Sequence, residues 1–187
     1  MRTRLLGALL LIGLVAGCGK PVSPPADGGD SGDDAQQRQG GVYAAVLRHH
    51  LESRDNGAGG DRAWTAVYVL DRAVKNAADP QRSITDDKGA PISRDVQREI
   101  TKRLSGVAPV RFIHSRDDVV GGKQDCQLKR KGAILITLAP VPASGDQVKV
   151  GVNGWQGCLA GTWQTYVVVA DGDGWKVTGT TGSNSIS

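Results

Sequence analysis

What this sequence has little of narrows it quickly. Its one long apolar run, Leu5 to Val15, is eleven residues. As helix that run measures about 16 Å, roughly half of a hydrocarbon core, so it is too short to span a bilayer. Cysteine is scarce: Cys18, Cys126 and Cys158, none in a C-x-x-C pair and none with a histidine close by, which disfavours a metal pair. Ser105, Ser115 and Ser144 fall in turn-like text without a nucleophile elbow. The glycine-rich stretch DNGAGGD at 55–61 precedes a strand-like segment rather than a helix, so it does not fit a phosphate-cradling loop. A strong charge excess is missing too. Residues 41–187 hold 19 basic and 15 acidic side chains, net +4, well short of a nucleic-acid binder's footprint. No nucleic-acid partner and no cofactor are expected.

What is present begins with an export signal. Arg2 and Arg4 precede the apolar run, and the small residues Ala16 and Gly17 follow it. A basic start, a short apolar middle and small residues before a cut describe a secretory leader. Val15-Ala16-Gly17-Cys18 resembles the lipobox of bacterial lipoproteins. The resemblance implies cleavage before Cys18, a diacylglyceryl thioether on its sulfur, and a membrane partner reached through that lipid. Two or more acyl chains bury enough methylene groups to hold a protein on a bilayer, where one does not.

Three segments follow: 1–17 as signal peptide, 18–40 as lipid-anchored tether and 41–187 as one extracytoplasmic domain. Residues 19–40 contain no aromatic residue and a single β-branched aliphatic, Val22. Such a composition cannot offset the entropy of ordering and predicts a disordered rope with a root-mean-square reach of roughly 25 Å. All four tryptophans, all three tyrosines and the one phenylalanine lie beyond it. An exported domain sits where disulfides persist. A Cys126–Cys158 bond closing a loop of about 33 residues would stabilise by roughly 3 to 4 kcal/mol.

Within the domain, residues 41–53 place Val42 and Val46 beside Tyr43 and Leu47 at helical spacing. Residues 63–74 read as a buried strand, with a helical turn near Ala73 to Ala78. Ile92, Val96, Ile100 and Leu104 recur at four-residue steps behind Ser93, an N-cap, and ahead of Gly106. From 109 onward five strand-like runs alternate with turns, the last pair joined by a hairpin at 170–174. The expectation is an α+β domain: two main helices packed on a curved, largely antiparallel sheet of about six strands. The closing stretch TYVVVADGDGWKV resembles the final hairpin of cone-shaped nuclear-transport-factor-like domains, which implies a cone as the fold analogy. The layout also resembles lipoproteins of high-GC Gram-positive bacteria, a resemblance that implies no activity.

Candidate sites are few. His49 and His50 adjoin on one helix and point about 100° apart, an awkward pair for one metal. His114, with Asp117 or Asp118 behind it, has the composition of a general base and its orienter. Asp171 and Asp173 supply too few oxygens for calcium. The basic cluster Lys129-Arg130-Lys131, with Lys123 and the row Arg94, Arg98, Lys102, fits either an anionic lipid or wall phosphate, or a guarded strand edge. Trp64, Tyr68, Trp155, Trp163 and Trp175 are the candidate ligand-binding aromatics, expected on a concave sheet face. The sequence therefore points to a membrane-tethered, non-catalytic domain that binds an envelope protein or a small ligand. The alternative is an envelope hydrolase or isomerase using His114 with Asp117 or Asp118.

Overall fold

The computed structural model describes residues 30–53, 63–81, 89–121 and 126–186. The lipobox with Cys18, the 55–61 loop and Lys123 lie outside the described residues. The chain order is α1 (Asp30–Glu52), β1 (Ala66–Ala73), β2 (Ala90–Pro91), α2 (Arg94–Arg103), β3 (Val110–Ile113), a 3-10 turn at Arg116–Asp118, then β4 (Ala133–Leu138), β5 (Gln147–Gly157), β6 (Ala160–Asp171) and β7 (Gly174–Ile186).

The seven strands form one open, mixed sheet in the order β2-β1-β4-β5-β6-β7, with β3 also on β1. β4 to β7 are an antiparallel meander, as the turn-punctuated runs predict. The first half differs from the expected pattern: β1 runs parallel to both β3 and β4. Each parallel pairing needs a crossover: α2 lies between β1 and β3, and α2, β3 and the 3-10 turn lie between β1 and β4. The turn expected near Ala73 to Ala78 is present at 75–78.

Both helices lie on one face. Val42, Tyr43, Val46, Leu47 and Leu51 of α1 meet Val96 and Ile100 of α2 over Val67, Val69, Ile134, Ile136, Val150 and Val152 of the strands. Ser93 caps α2, its hydroxyl accepting from Val96 N at 3.3 Å, and Gly106 at φ 91° turns the chain out of it. Tyr43 pins α1 to the sheet by donating to Ala139 O at 3.0 Å. Its burial pushes the phenol up to about 12.

α1 begins at Asp30, eleven residues ahead of the boundary that composition sets at 41. Gly40 and Gly41, which read as the end of a linker, lie inside the helix and are buried. The reason is close approach. A Cβ on Gly40 would press on Glu99 Cγ of α2 at 2.9 Å, and one on Gly41 would press on the Trp175 ring at 2.9 Å. Arg38 then donates to Gly145 O at 2.6 Å and stacks 4.6 Å above Trp175. Tertiary contacts hold a helical start that local propensity disfavours.

The second face has its own small core. Val119, Val120 and Leu128 of the 115–131 segment cover Ala66, Leu70, Leu135 and Trp155. Cys126 in this cap is bonded to Cys158 in the β5–β6 turn, with Cα atoms 4.7 Å apart. The pairing expected from the cysteine count is therefore present.

Candidate binding surface

The five aromatic side chains singled out in the sequence are dispersed over the two faces. Trp64 and Trp175 pack against the helix-side core, and Trp64 Nε1 donates to Leu51 O at 3.2 Å. Tyr68 and Trp155 belong to the second core, where the Arg116 guanidinium lies 4.1 Å over the Trp155 ring. Trp163 leans over Gly161, where a Cβ would meet its ring at 2.6 Å. Alternation explains the split. Trp155 stands on the opposite side of β5 from Val150 and Val152, which face the helices.

His114 is brought to different partners from those its sequence neighbours offer. Its Nδ1 lies 3.0 Å from Asp71 Oδ2 and 2.7 Å from Arg72 Nη2. Asp71 and Arg72 belong to β1, which pairs with β3 just before His114. Asp118 is spent on a cap: its carboxylate accepts from Ser115 N at 3.1 Å, while Ser115 Oγ accepts from Asp117 N at 3.2 Å. The carbonyls of Asp117 and Asp118 accept from Lys129 Nζ at 3.2 and 3.0 Å. The His114 side chain is 77 % exposed, so solvent screens the Asp71 pairing.

The buried histidine is His50, which sequence reading weighed only as half of an adjacent pair. It is fully buried. Its Nδ1 lies 2.9 Å from Tyr166 Oη, and the Tyr166 hydroxyl donates to Gln164 Oε1. With the tyrosine proton committed to Gln164, His50 Nδ1 carries the hydrogen of the first bond. A Cβ at position 154 would fall on His50 Nε2, so Gly154 makes room for the ring. Burial, helped by neighbouring His49, lowers the imidazole from 6.5 to about 4, and it is neutral at pH 7. A signal existed: His50 continues the Val42, Val46 row at the next four-residue step.

A groove of about 1120 Å³ runs between α2 and the β3 edge, lined by Arg94, Arg98, Lys102, Val110 and Phe112 among others. Arg98 is held by Asp95. A second groove, about 800 Å³, lies between the 75–80 turn and β5. A third, about 400 Å³, lies between α1 and β7, lined by Arg48, His49, Arg103, Trp175 and Lys176. Among the described residues no cluster of three or more histidine, cysteine or carboxylate side chains could hold a metal ion, and no helix is long and apolar enough to cross a membrane.

What the arrangement offers chemically is polar and cationic surface around two filled cores. The chain matches no protein-family model, and no curated protein and no solved structure proves similar to it.

Proposed function

We propose that this chain is a membrane-tethered extracytoplasmic lipoprotein, held by lipid on Cys18, whose folded domain binds a partner and performs no chemistry of its own. The observation that carries the reading is the Cys126–Cys158 disulfide. Such a bond persists in oxidising compartments, which agrees with the export leader and lipobox at the other end of the sequence. Binding is favoured over catalysis by how the histidines are used. His50 is enclosed in a hydrogen-bonded chain with Tyr166 and Gln164, and His114 is engaged by Asp71 and Arg72 at the surface.

The test is the mature N-terminus. Mass spectrometry is expected to find a chain beginning at Cys18 and carrying acyl chains, and Cys18→Ser is expected to move the protein from membrane to soluble fraction. An unmodified thiol with the leader attached would overturn the reading. Turnover of an envelope substrate by the wild type, lost in His114→Ala, would replace it with the hydrolase or isomerase alternative.

A further inference from the structure

One end of this domain gathers exposed cations with few acids beside them. β1, β3 and β4 start at the same end of the sheet, because Val67 pairs with Val110 and Ala66 with Ala133 in parallel register. Both helices finish there: Trp64 Nε1 bonds Leu51 O, and Arg48 Nη2 donates to Arg103 O at 2.6 Å. That end presents Arg48, Lys102, Arg103, Arg111, Arg130 and Lys131, all exposed. Glu52 pairs with Arg48 at 3.7 Å and Glu99 with Arg103 at 2.6 Å, so the excess at this end is four cations. Lys129 reaches instead to the carbonyls of the 3-10 turn.

The other end is mixed. α1 begins there with Asp33 and Asp34, and the β4–β5 and β6–β7 connections add Asp146, Asp171 and Asp173, offset by Lys75, Lys149 and, on the first turns of α2, Arg94 and Arg98, all exposed. Arg38 ties these parts together through Gly145 O and Trp175. The internal segments outside the described residues do not alter the balance. Residues 54–62, 82–88 and 122–125 each hold as many acids as bases.

We propose that the cationic end is a docking surface for an anionic phosphodiester polymer of the envelope. Its orientation, though not the binding itself, rests on the lipid-anchor reading. Four of the six cations are arginines, whose planar forks match phosphate oxygens in pairs. The six spread from the helix layer (Arg48, Lys102, Arg103) across β3 (Arg111) to the chain entering β4 (Arg130, Lys131). A polymer with a phosphate in every repeat engages several at once, while a single phosphate engages one. Each exposed contact is weak alone, and together they add and are strongly salt-dependent. A bilayer is the poorer occupant. The N-terminal segment enters α1 at the opposite end, and the 23 residues of α1 set the cationic end about 35 Å further on.

The experiment uses the full chain with Cys18→Ser, so that anchoring plays no part in binding, and synthetic poly(glycerol phosphate) as the probe. Binding is expected at 50 mM salt and is expected to weaken at least tenfold, to order of magnitude, at 500 mM. R130E with K131E is expected to cost about tenfold or more, and K75E with K149E at the opposite end less than about twofold. Circular dichroism and tryptophan fluorescence confirm that each variant is folded. Equal losses in the two pairs, no binding to the polymer, or binding to phosphatidylglycerol vesicles but not to the polymer would each overturn the proposal. Flotation of the wild-type chain with phosphatidylcholine vesicles reports the anchor separately, so the two readings fail independently.

Discussion

The two faces of the sheet are covered by different means. On one, the helices and their entry bring nine buried side chains, from Val42 to Leu51 and from Ile92 to Leu104, onto the strands. On the other, the 115–131 cap brings three, Val119, Val120 and Leu128. Apolar burial scales with area, so the helix layer holds itself in place while the cap has too little to order its own backbone. A disulfide, a capping box at Ser115 and the Lys129 bonds make up the difference. The lesson is that cross-links are found where the core is thin.

Four measurements would break or sharpen that contrast. The largest effect belongs to the helix side: Ile136→Ala, at a site with no exposure, is expected to cost about 4 kcal/mol, read as a lowered urea midpoint with the whole domain unfolding together. On the cap side, Cys126→Ser with Cys158→Ser is expected to cost about 3 kcal/mol. Limited proteolysis should then cut the cap first, where Ile136→Ala sensitises every segment at once.

The third measurement is pH. His50 titrates at about 4 folded against 6.5 unfolded, so the unfolded chain takes up its proton first. Its contribution to stability is complete above pH 6.5 and is lost as pH falls through about 4. The full loss is roughly 3 kcal/mol, roughly 2 of it by pH 5, before most carboxylates titrate. Urea midpoints between pH 7 and 5 should fall, and with them the docking of α1. A flat profile would mean that the ring is not sealed as described. The smallest effect is Arg116→Ala on the cap, expected to cost about 0.5 to 1 kcal/mol through its stack on Trp155.

The sequence disclosed elements whose signal is local. Ile92, Val96, Ile100 and Leu104 announce α2 without tertiary help, and so do Ser93 and Gly106 at its ends. Val148, Val150 and Val152 announce β5 by alternation. What stayed hidden depends on partners far along the chain. Parallel pairing of β1 with β4 joins residues more than sixty apart, and alternation carries no direction. The first turns of α1 hold Asp, Gln, Arg and Gly, a linker's composition, and are held as helix by Arg38 on Gly145 and Trp175, with Gly40 and Gly41 fitting closely against Glu99 and Trp175. The aromatics were read as one ligand-binding set on a concave face, whereas Trp155 is buried and the other four are half-buried. Their division between two faces followed from the parity of each strand once its register was known. His114 met Asp71 because two strands lie side by side, which no spacing within 114–118 encodes.

One consequence follows from Arg38 and the paired glycines beyond it. Because α1 starts at Asp30 and reaches Trp175 within its first three turns, the N-terminal turns of the described body are a rod seated on the last hairpin. A tug arriving at Asp30 is borne first by the Arg38 clasp on Gly145 and Trp175, and only afterwards by Val42 and Tyr43. Were the chain anchored through Cys18 as proposed, that clasp would act as a mechanical fuse, yielding at the surface while the interior stays shut.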